Sequence, residues 1–428
     1  MTGHDLARTI DAVWRMESAR VIGGLTRMLR DVELAEELAQ DALVAALETW
    51  PASGVPDNPG AWLMATAKHR AIDRLRRHQL LARKHEQLGY EAELQQALAE
   101  DPADAADDRI GDDVLRLVFI ACHPVLSTDA QVALTLRLLG GLTTDEIARA
   151  FLVPEPTVAQ RIVRAKRTLG DANVPFEVPR GADLAARLDA VLAVIYLIFN
   201  EGYAATSGEH WTRPTLCEEA LRLGRVLAGL MPQQAEVHGL AALMELQASR
   251  LPARVAHDGT PILLLEQDRA RWDRLLIGRG LAALERARRL GGEHGAYALQ
   301  AAIAACHAQA LTADATDWAR IATLYGELAA RTPSPVIELN RAVAVAMAEG
   351  PQAGLALVDA LRDEPALQRY HLLPSVRGDL LARLGRHAEA RTAFEQAAAL
   401  ARNAREQALL QQRAADAAHA ADASSRAS

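Results

Sequence analysis

The sequence predicts an all-α protein, with two small helical domains followed by an array of helical hairpins. Three observations carry this expectation. Ala, Leu, Arg and Glu dominate, and aromatic residues make up only 4% of the 428 residues, a composition that favours helix over sheet. Apolar residues recur at three- and four-residue spacing along most of the chain, the period of a helix face. Proline and glycine clusters cut these runs into helix-length pieces. The chain is too long for one ordinary core, so two or three domains are expected.

Residues 8–80 form the first zone. A helix face runs through Ile10, Val13, Trp14, Val21, Ile22 and Leu25. A second pattern over 31–50 places Leu34, Leu38, Ala42, Leu43 and Leu47 at helical spacing, with Glu33, Glu36, Glu37, Asp41 and Glu48 along one acidic side. That side suits either plain solvation or protein docking. Pro51 stops the helix, and Pro56, Asp57, Asn58, Pro59 and Gly60 form a loop with strong turn chemistry. A third helix starts near Ala61 and continues through Arg77. Lys68, Arg70, Arg74, Arg76 and Arg77 cluster on and after it behind Trp62, with Asp73 the lone acid. A basic helix beside an aromatic side chain can grip a phosphate backbone and stack on an unpaired base. It can equally be a solvated terminus whose cations complement the helix dipole.

Residues 81–112 read as an acidic flexible linker. From Glu86 onward, Glu100, Asp101, Asp104, Asp107, Asp108, Asp112 and Asp113 crowd around Pro102 and the single cation of that stretch, Arg109, and like-charge repulsion keeps such a segment extended.

The second zone, 113–170, holds four short helices. Those over 113–126 and 129–139 are apolar on one face, and Gly140 and Gly141 end the second. Thr143 and Glu146 make a capping box that opens the third helix, whose Ile147, Ala148 and Phe151 face inward. Leu152, Val153 and Pro154 turn the chain into the fourth helix, 155–169, where Pro156 suits the first turn. Val158, Ile162, Ala165 and Leu169 fall on its inner face. Thr157, Gln160, Arg161, Arg164, Lys166 and Arg167 fall near the outer one. This is the pattern of a helix-turn-helix, whose second helix lies in the DNA major groove. Glu155, Thr157, Gln160 and Arg161 would then meet base edges, and the later cations would hold phosphates.

The third zone, 184–420, reads as a series of helix hairpins. Gly378, Leu381, Gly385, Ala390, Phe394 and Ala397 match the small and large positions of a tetratricopeptide repeat, with a break at Gly385. Ala344, Met347, Pro351 and Ala356 occupy the corresponding positions one repeat earlier. Ala344 and Gly378, and Ala356 and Ala390, mark where paired helices approach closely. Degenerate pairs precede them at 215–230 with 235–249 and at 268–290 with 297–311, and a further helix covers 318–330.

Composition excludes several classes. The net charge of -8 argues weakly against a protein that coats nucleic acid generally. Cys122, Cys217 and Cys306 are too few and scattered for a disulfide framework, which fits a reducing cytoplasm. Cys122 with His123, and Cys306 with His307, lack the spacing of metal ligands, so no metal site is expected. The N-terminus has no signal-peptide pattern, and the most apolar stretch, 188–199, is too short to span a bilayer. No nucleophile elbow, phosphate loop or metal motif marks an enzyme, and no cofactor is implied. Glu201 and His210 read as a loop-and-interface pair rather than an acid–base pair.

Three segments carry a family resemblance. AEELAQDALVAALETW (35–50) resembles the core-polymerase-binding helix of sigma region 2, and PGAWLMATAKHRAIDRLRR (59–77) is similar to the promoter-melting, -10-reading helix that follows it. GLTTDEIARAFLVPEPTVAQRIVRAKRTL (141–169) looks like sigma region 4. With the acidic linker, residues 8–170 resemble the two-domain layout of the extracytoplasmic-function (ECF) sigma-70 family. The resemblance implies that Glu36, Glu37, Gln40, Asp41 and Leu43 dock on the clamp helices of core RNA polymerase, with a further contact to its flap. It implies that the loop from Asp57 and Asn58 to Trp62 captures a flipped -10 base while Lys68, Arg70, Arg74, Arg76 and Arg77 hold the backbone. It also implies that Glu155, Thr157, Gln160, Arg161, Arg164, Lys166 and Arg167 serve the -35 element. Pro156 departs from the small residue usual at its position.

The helical tail resembles the subgroup with a tetratricopeptide-like C-terminal extension, FNEGY (199–203) being similar to its opening junction. That resemblance implies regulation through the extension, whose concave surface could take a peptide or small-molecule ligand. The competing reading is a helix-turn-helix transcriptional activator with a repeat-type sensor domain, which leaves the pattern of residues 8–80 without a role.

Overall fold

Regular structure in the described residues (3–82, 106–151, 153–205, 211–257 and 259–427) is helical throughout, apart from one bridge between Val255 and Pro261. In this computed structural model the chain divides into two compact units, Met1–Leu197 and Ile198–Ser428. The acidic stretch 86–105, Leu152 and His210 lie outside the described residues, as do the side chains of Arg76 and Arg77.

In the first unit α1 (Gly3–Leu29) buries the expected face, Ile10, Val13, Trp14, Val21, Ile22 and Leu25. The Asp31 carboxylate caps α2 (Val32–Ser53), accepting the Glu33 and Leu34 N–H groups at 2.9 and 3.0 Å. Pro51 does not stop this helix. It sits within the last turn, and the stop comes at Gly54, whose φ of 82° favours a residue without Cβ. Leu47, read as part of the apolar repeat, is 47% exposed. Helix α3 (Pro59–Ala82) opens on a proline and is capped by Asn58, whose Oδ1 accepts the Ala61 N–H at 3.0 Å.

Helix α4 (Ala106–Ala121) begins seven residues before the boundary expected from sequence, inside the segment read as linker. Acidic residues disfavour a packed core but suit a helix N-terminus, and Asp107 and Asp108 lie in its first turn. Asp113 is buried. It accepts from Arg27 at 3.0 Å and Arg116 at 2.7 Å, which ties α4 to α1. Burial pushes its carboxyl up from the usual range, opposed by the two guanidinium groups. Helices α5 (Thr128–Leu138), α6 (Thr144–Phe151) and α7 (Glu155–Asp171) follow, and α8 (Ala182–Tyr203) runs across the boundary of the two units. Cys122 is a core residue whose thiol burial pushes up to about 12, and the described residues contain no metal-type cluster.

The second unit holds α9 (Pro214–Leu230), α10 (Ala235–Ala248), α11 (Arg274–Arg289), α12 (Ala296–Gln309), α13 (Trp318–Arg331), α14 (Pro335–Glu349), α15 (Pro351–Ala360), α16 (Leu372–Arg383), α17 (His387–Leu400) and α18 (Ala404–Ala427). The last repeat packs as expected. A Cβ on Gly378 would lie 2.7 Å from the Phe394 ring, Gly385 takes φ 74° in the turn, and Leu381, Ala390, Phe394 and Ala397 are buried. In the preceding repeat the close approach falls on Gly354, where a Cβ would meet that of Ala346 at 2.3 Å, and Ala356 is exposed. The reason is turn length: Gly350 alone separates α14 from α15, whereas three residues separate α16 from α17, so the register shifts by two.

Upstream, α11 starts at Arg274 rather than Asp268. Asp273 caps it, accepting from the Leu275 and Leu276 N–H groups at 2.8 and 3.1 Å. The chain between α10 and α11 is irregular, with short 3-10 turns at Leu251–Ala253, Leu264–Glu266 and Arg269–Arg271.

His307 on α12 is buried against Trp318, at 5.1 Å between ring centroids. Burial, reinforced by the nearby Arg250 and Arg269 charges, lowers its pKa to about 3. The folded state therefore holds the neutral ring. The stabilisation is complete above the ordinary histidine value near 6.5 and is lost as pH falls from there toward about 3. Lowering the pH from 7 to 4 is expected to lower the melting temperature, and His307→Gln is expected to reduce that loss. A parallel pH dependence in the two chains would contradict it.

Candidate nucleic-acid and protein interfaces

The helix-turn-helix is fixed by local chemistry first. Thr143 and Glu146 form the reciprocal box: Oε2 of Glu146 accepts the Thr143 N–H at 2.8 Å, and Oγ1 of Thr143 accepts the Glu146 N–H at 3.1 Å. Oε1 of Glu146 also accepts from Arg15 on α1 at 2.8 Å. Thr143→Ala is expected to cost about 1 kcal/mol, read as a lower midpoint in urea. An unchanged midpoint would show the cap to be idle.

Helix α7 has Pro154 as its N-cap and buries Val158, Ile162, Ala165 and Leu169, the four positions expected from sequence. Glu155, Thr157, Gln160, Arg164 and Arg167 are exposed, giving a polar and cationic stripe along its outer side. Two members of the predicted set are turned aside. Arg161 pairs with Asp129 at 2.9 Å and its side chain is 30% exposed. Lys166 is 12% exposed and pairs with Glu36.

In α2, Glu33, Glu37, Asp41 and Glu48 share the outer side, but Glu36 does not. A step of one residue turns a helix by about 100°, and Glu36 is 3% exposed. Its Oε1 accepts from Arg137 and from Gln40, both at 2.6 Å, and its Oε2 faces Lys166. Glu36 thus joins α2 to α5 and α7 within the first unit. Gly141, with φ 67°, lies against α1 instead: a Cβ there would come 3.0 Å from the Ser18 hydroxyl.

Gln40 and Leu43 follow Glu36 along α2 and line a groove of about 290 Å³ with Ile10, Trp14, Val44 and Leu47. Val44 and Leu47 are 48% and 47% exposed, so this acidic helix carries an unpartnered apolar edge. Sequence reading missed it because Leu47 fits the spacing of the core residues. The signal available was Val44, an apolar residue turned away from the helix face that carries the buried Leu38, Ala42 and Ala46.

On α3, the cations meet the acids of α2. Arg74 donates to Glu37 at 2.6 Å, and Arg70 lies 3.5 Å from Asp41. The predicted DNA-facing and polymerase-facing sets therefore adjoin on one surface. Lys68 is half-buried, and burial, followed by the Arg27 charge, lowers its pKa. Asp57 is exposed, Asn58 is spent on the cap, and Trp62 packs edge-on to Trp50 at 5.3 Å, leaving its ring partly accessible. Glu201 pairs with Arg213 in the second unit. Among the described residues, no helix is long and apolar enough to cross a membrane.

Comparison with known proteins divides the chain in a compatible way. The family model "Sigma-70 region 2" matches residues 14–80, "Sigma-70, region 4" matches 116–169, and a family of unknown function, DUF6596, matches 187–288. An uncharacterized protein of Rhizobium meliloti, R00370, is 45% identical over 392 residues, covering 91% of this chain and 92% of the relative. The ECF RNA polymerase sigma factor SigK of Mycobacterium tuberculosis is 32% identical over 176 residues, covering 40% of this chain and 87% of the relative. SigK of Mycolicibacterium vanbaalenii is 30% identical over 169 residues, covering 38% and 81%.

Proposed function

We propose a working mechanism from one premise: the chain belongs to the ECF sigma factors of the sigma-70 family, and so is a factor for transcription initiation. In our reading, residues 14–80 bind core RNA polymerase and the -10 element, and residues 116–169 hold the -35 element. The observation that carries this reading is the stripe of Glu155, Thr157, Gln160, Arg164 and Arg167, exposed on a helix whose opposite side is fully packed. Side chains at the start of such a helix read base edges, and later cations fix its register on phosphate. The protein supplies sequence reading and stabilises unpaired DNA, and no bond-making chemistry is assigned to it. Its place of work is where polymerase and chromosome are, the cytoplasm.

The polymerase-facing surface we assign is the outer side of α2. Glu37 and Asp41 supply charge, and the Gln40, Leu43, Val44 and Leu47 edge supplies apolar area. Clustered exposed aliphatic groups beside an acidic rim are the composition of a docking patch. Leu47→Arg in the full chain is expected to abolish co-elution with core polymerase while leaving the melting temperature within a few degrees. Retained co-elution would place the polymerase contact elsewhere.

The second unit we read as regulatory. Its hairpin array has the extended surface on which repeat proteins commonly bind ligands or partners. Initiation by the full chain and by a chain ending after Ala205 should then differ, while equal rates would remove the regulatory role.

A further inference from the structure

Between α10 and α11 the hairpin pattern is interrupted, and the irregular segment brings three arginines into the second unit without a counter-charge. Arg254 and Arg269 are 8% and 5% exposed, and Arg250 is partly buried. Among the described residues no carboxylate lies within ion-pair distance of any of them. Arg269 donates only to neutral oxygens: the His307 and Ala310 carbonyls and the Thr316 hydroxyl, each at 2.8 Å. Arg250 reaches the side-chain oxygens of Gln247 and Gln267, each at 3.2 Å. Arg254 lies 3.7 Å above the centre of the Tyr203 ring and 5.8 Å from that of Trp211. Trp272 stands between Arg250 and Arg269, at 5.4 and 5.1 Å.

The unpaired donors gather at the same place. Twelve buried side-chain nitrogen and oxygen atoms lack a hydrogen-bond partner among the described residues. Six belong to this cluster: Tyr203 Oη, Trp211 Nε1, Arg254 Nε, Arg269 Nε, Trp272 Nε1 and His307 Nδ1. Five of these six are N–H or O–H groups of side chains that donate by nature, and the sixth is an imidazole nitrogen able to do so. Concentrated buried charge with unmet donors is strongly unfavourable unless an acceptor of opposite sign occupies it.

We propose that Arg250, Arg254 and Arg269, with Tyr203, Trp211 and Trp272, form a binding site for a small oxyanion, a phosphate or carboxylate group. The stacking geometry favours this class. An aromatic face under Arg254 occupies the flat side of the guanidinium and leaves its N–H edge for in-plane, bidentate bonding, which both groups accept. The indole and phenol donors add to the unmet donors of this lining, which holds no carboxylate among the described residues. Such a site excludes cations and neutral peptides, and it fixes the ligand class for the regulatory reading of this unit, on which it builds. An anion there would also raise the pKa of His307 from its depressed value.

Thermal melting of the full chain tests this without polymerase, so a negative result leaves the initiation reading standing. The probes are inorganic phosphate and citrate, each against potassium chloride at matched ionic strength. A melting temperature raised by several degrees at millimolar phosphate or citrate supports the site. Phosphate alone points to a phosphate ester, citrate alone to a carboxylate. Arg254→Met keeps the aliphatic stem and removes the charge. Its melting temperature in chloride is expected to match or exceed that of the parent, and its response to the anion to fall at least tenfold in apparent affinity. If that variant does not fold, loss of the anion-induced tryptophan fluorescence change in Trp211→Phe carries the same test. No stabilisation beyond chloride, or an equal response in Arg254→Met and parent, overturns the proposal.

Discussion

Replacing Gln160 and Arg164 together with alanine is expected to abolish promoter-specific binding at -35 while leaving the protein folded. Both side chains are exposed on α7 and neither has a hydrogen-bond or ion-pair partner through its own side chain among the described residues, so their removal costs little stability. A good base or phosphate contact contributes roughly 1–3 kcal/mol, and two lost contacts reduce affinity by roughly 30-fold or more. The check is a footprint or gel-shift titration beside a melting curve. Full affinity in the double variant would show that this stripe does not face DNA. Arg161→Ala is expected to act less cleanly, because its pair with Asp129 also holds α7 to the start of α5.

Glu36→Ala is the second large effect, and it acts on stability. The carboxylate is buried, accepts from Arg137 and Gln40, and pairs in charge with Lys166. Arg137 is 20% and Lys166 12% exposed, so deletion leaves two mostly covered cations facing each other. Breaking a buried pair from one side costs about 3–5 kcal/mol. Glu37→Ala is the control: its pair with Arg74 is half-exposed, and such pairs contribute about 0–1 kcal/mol. Equal urea midpoints for the two variants would show that Glu36 is not the junction described. The same geometry bears on DNA binding. Lys166 can reach phosphate only by leaving Glu36, so of the cations on α7, Arg164 is the one immediately available, followed by Arg167, whose pair with Asp171 at 3.6 Å is exposed.

Much of the first unit was legible because its signals are local. The box of Thr143 and Glu146 and the inner face of α7 follow from spacing alone, and both stand in the structure. What spacing could not show was partnership across the fold. Glu36 looks like one of five acids on a helix side until Arg137, 101 residues away, is seen to meet it. Arg70 and Arg74 look like free phosphate contacts until Asp41 and Glu37 adjoin them. The last repeat was legible because Gly378, Gly385 and Phe394 have distinctive sizes, and the one before it was misplaced by two residues because turn length leaves little mark on composition. The arginine cluster was invisible for a further reason: its members come from Tyr203, Trp211, the segment 250–272 and His307, and no local pattern links them.

The most direct test of the account is run-off transcription with core RNA polymerase and a promoter library, comparing the full chain with the Gln160→Ala, Arg164→Ala double variant. Initiation at discrete -35/-10 sites is expected from the full chain, with its loss in the variant. Absence of specific initiation by the full chain, or identical start sites and yields in the two, would contradict it.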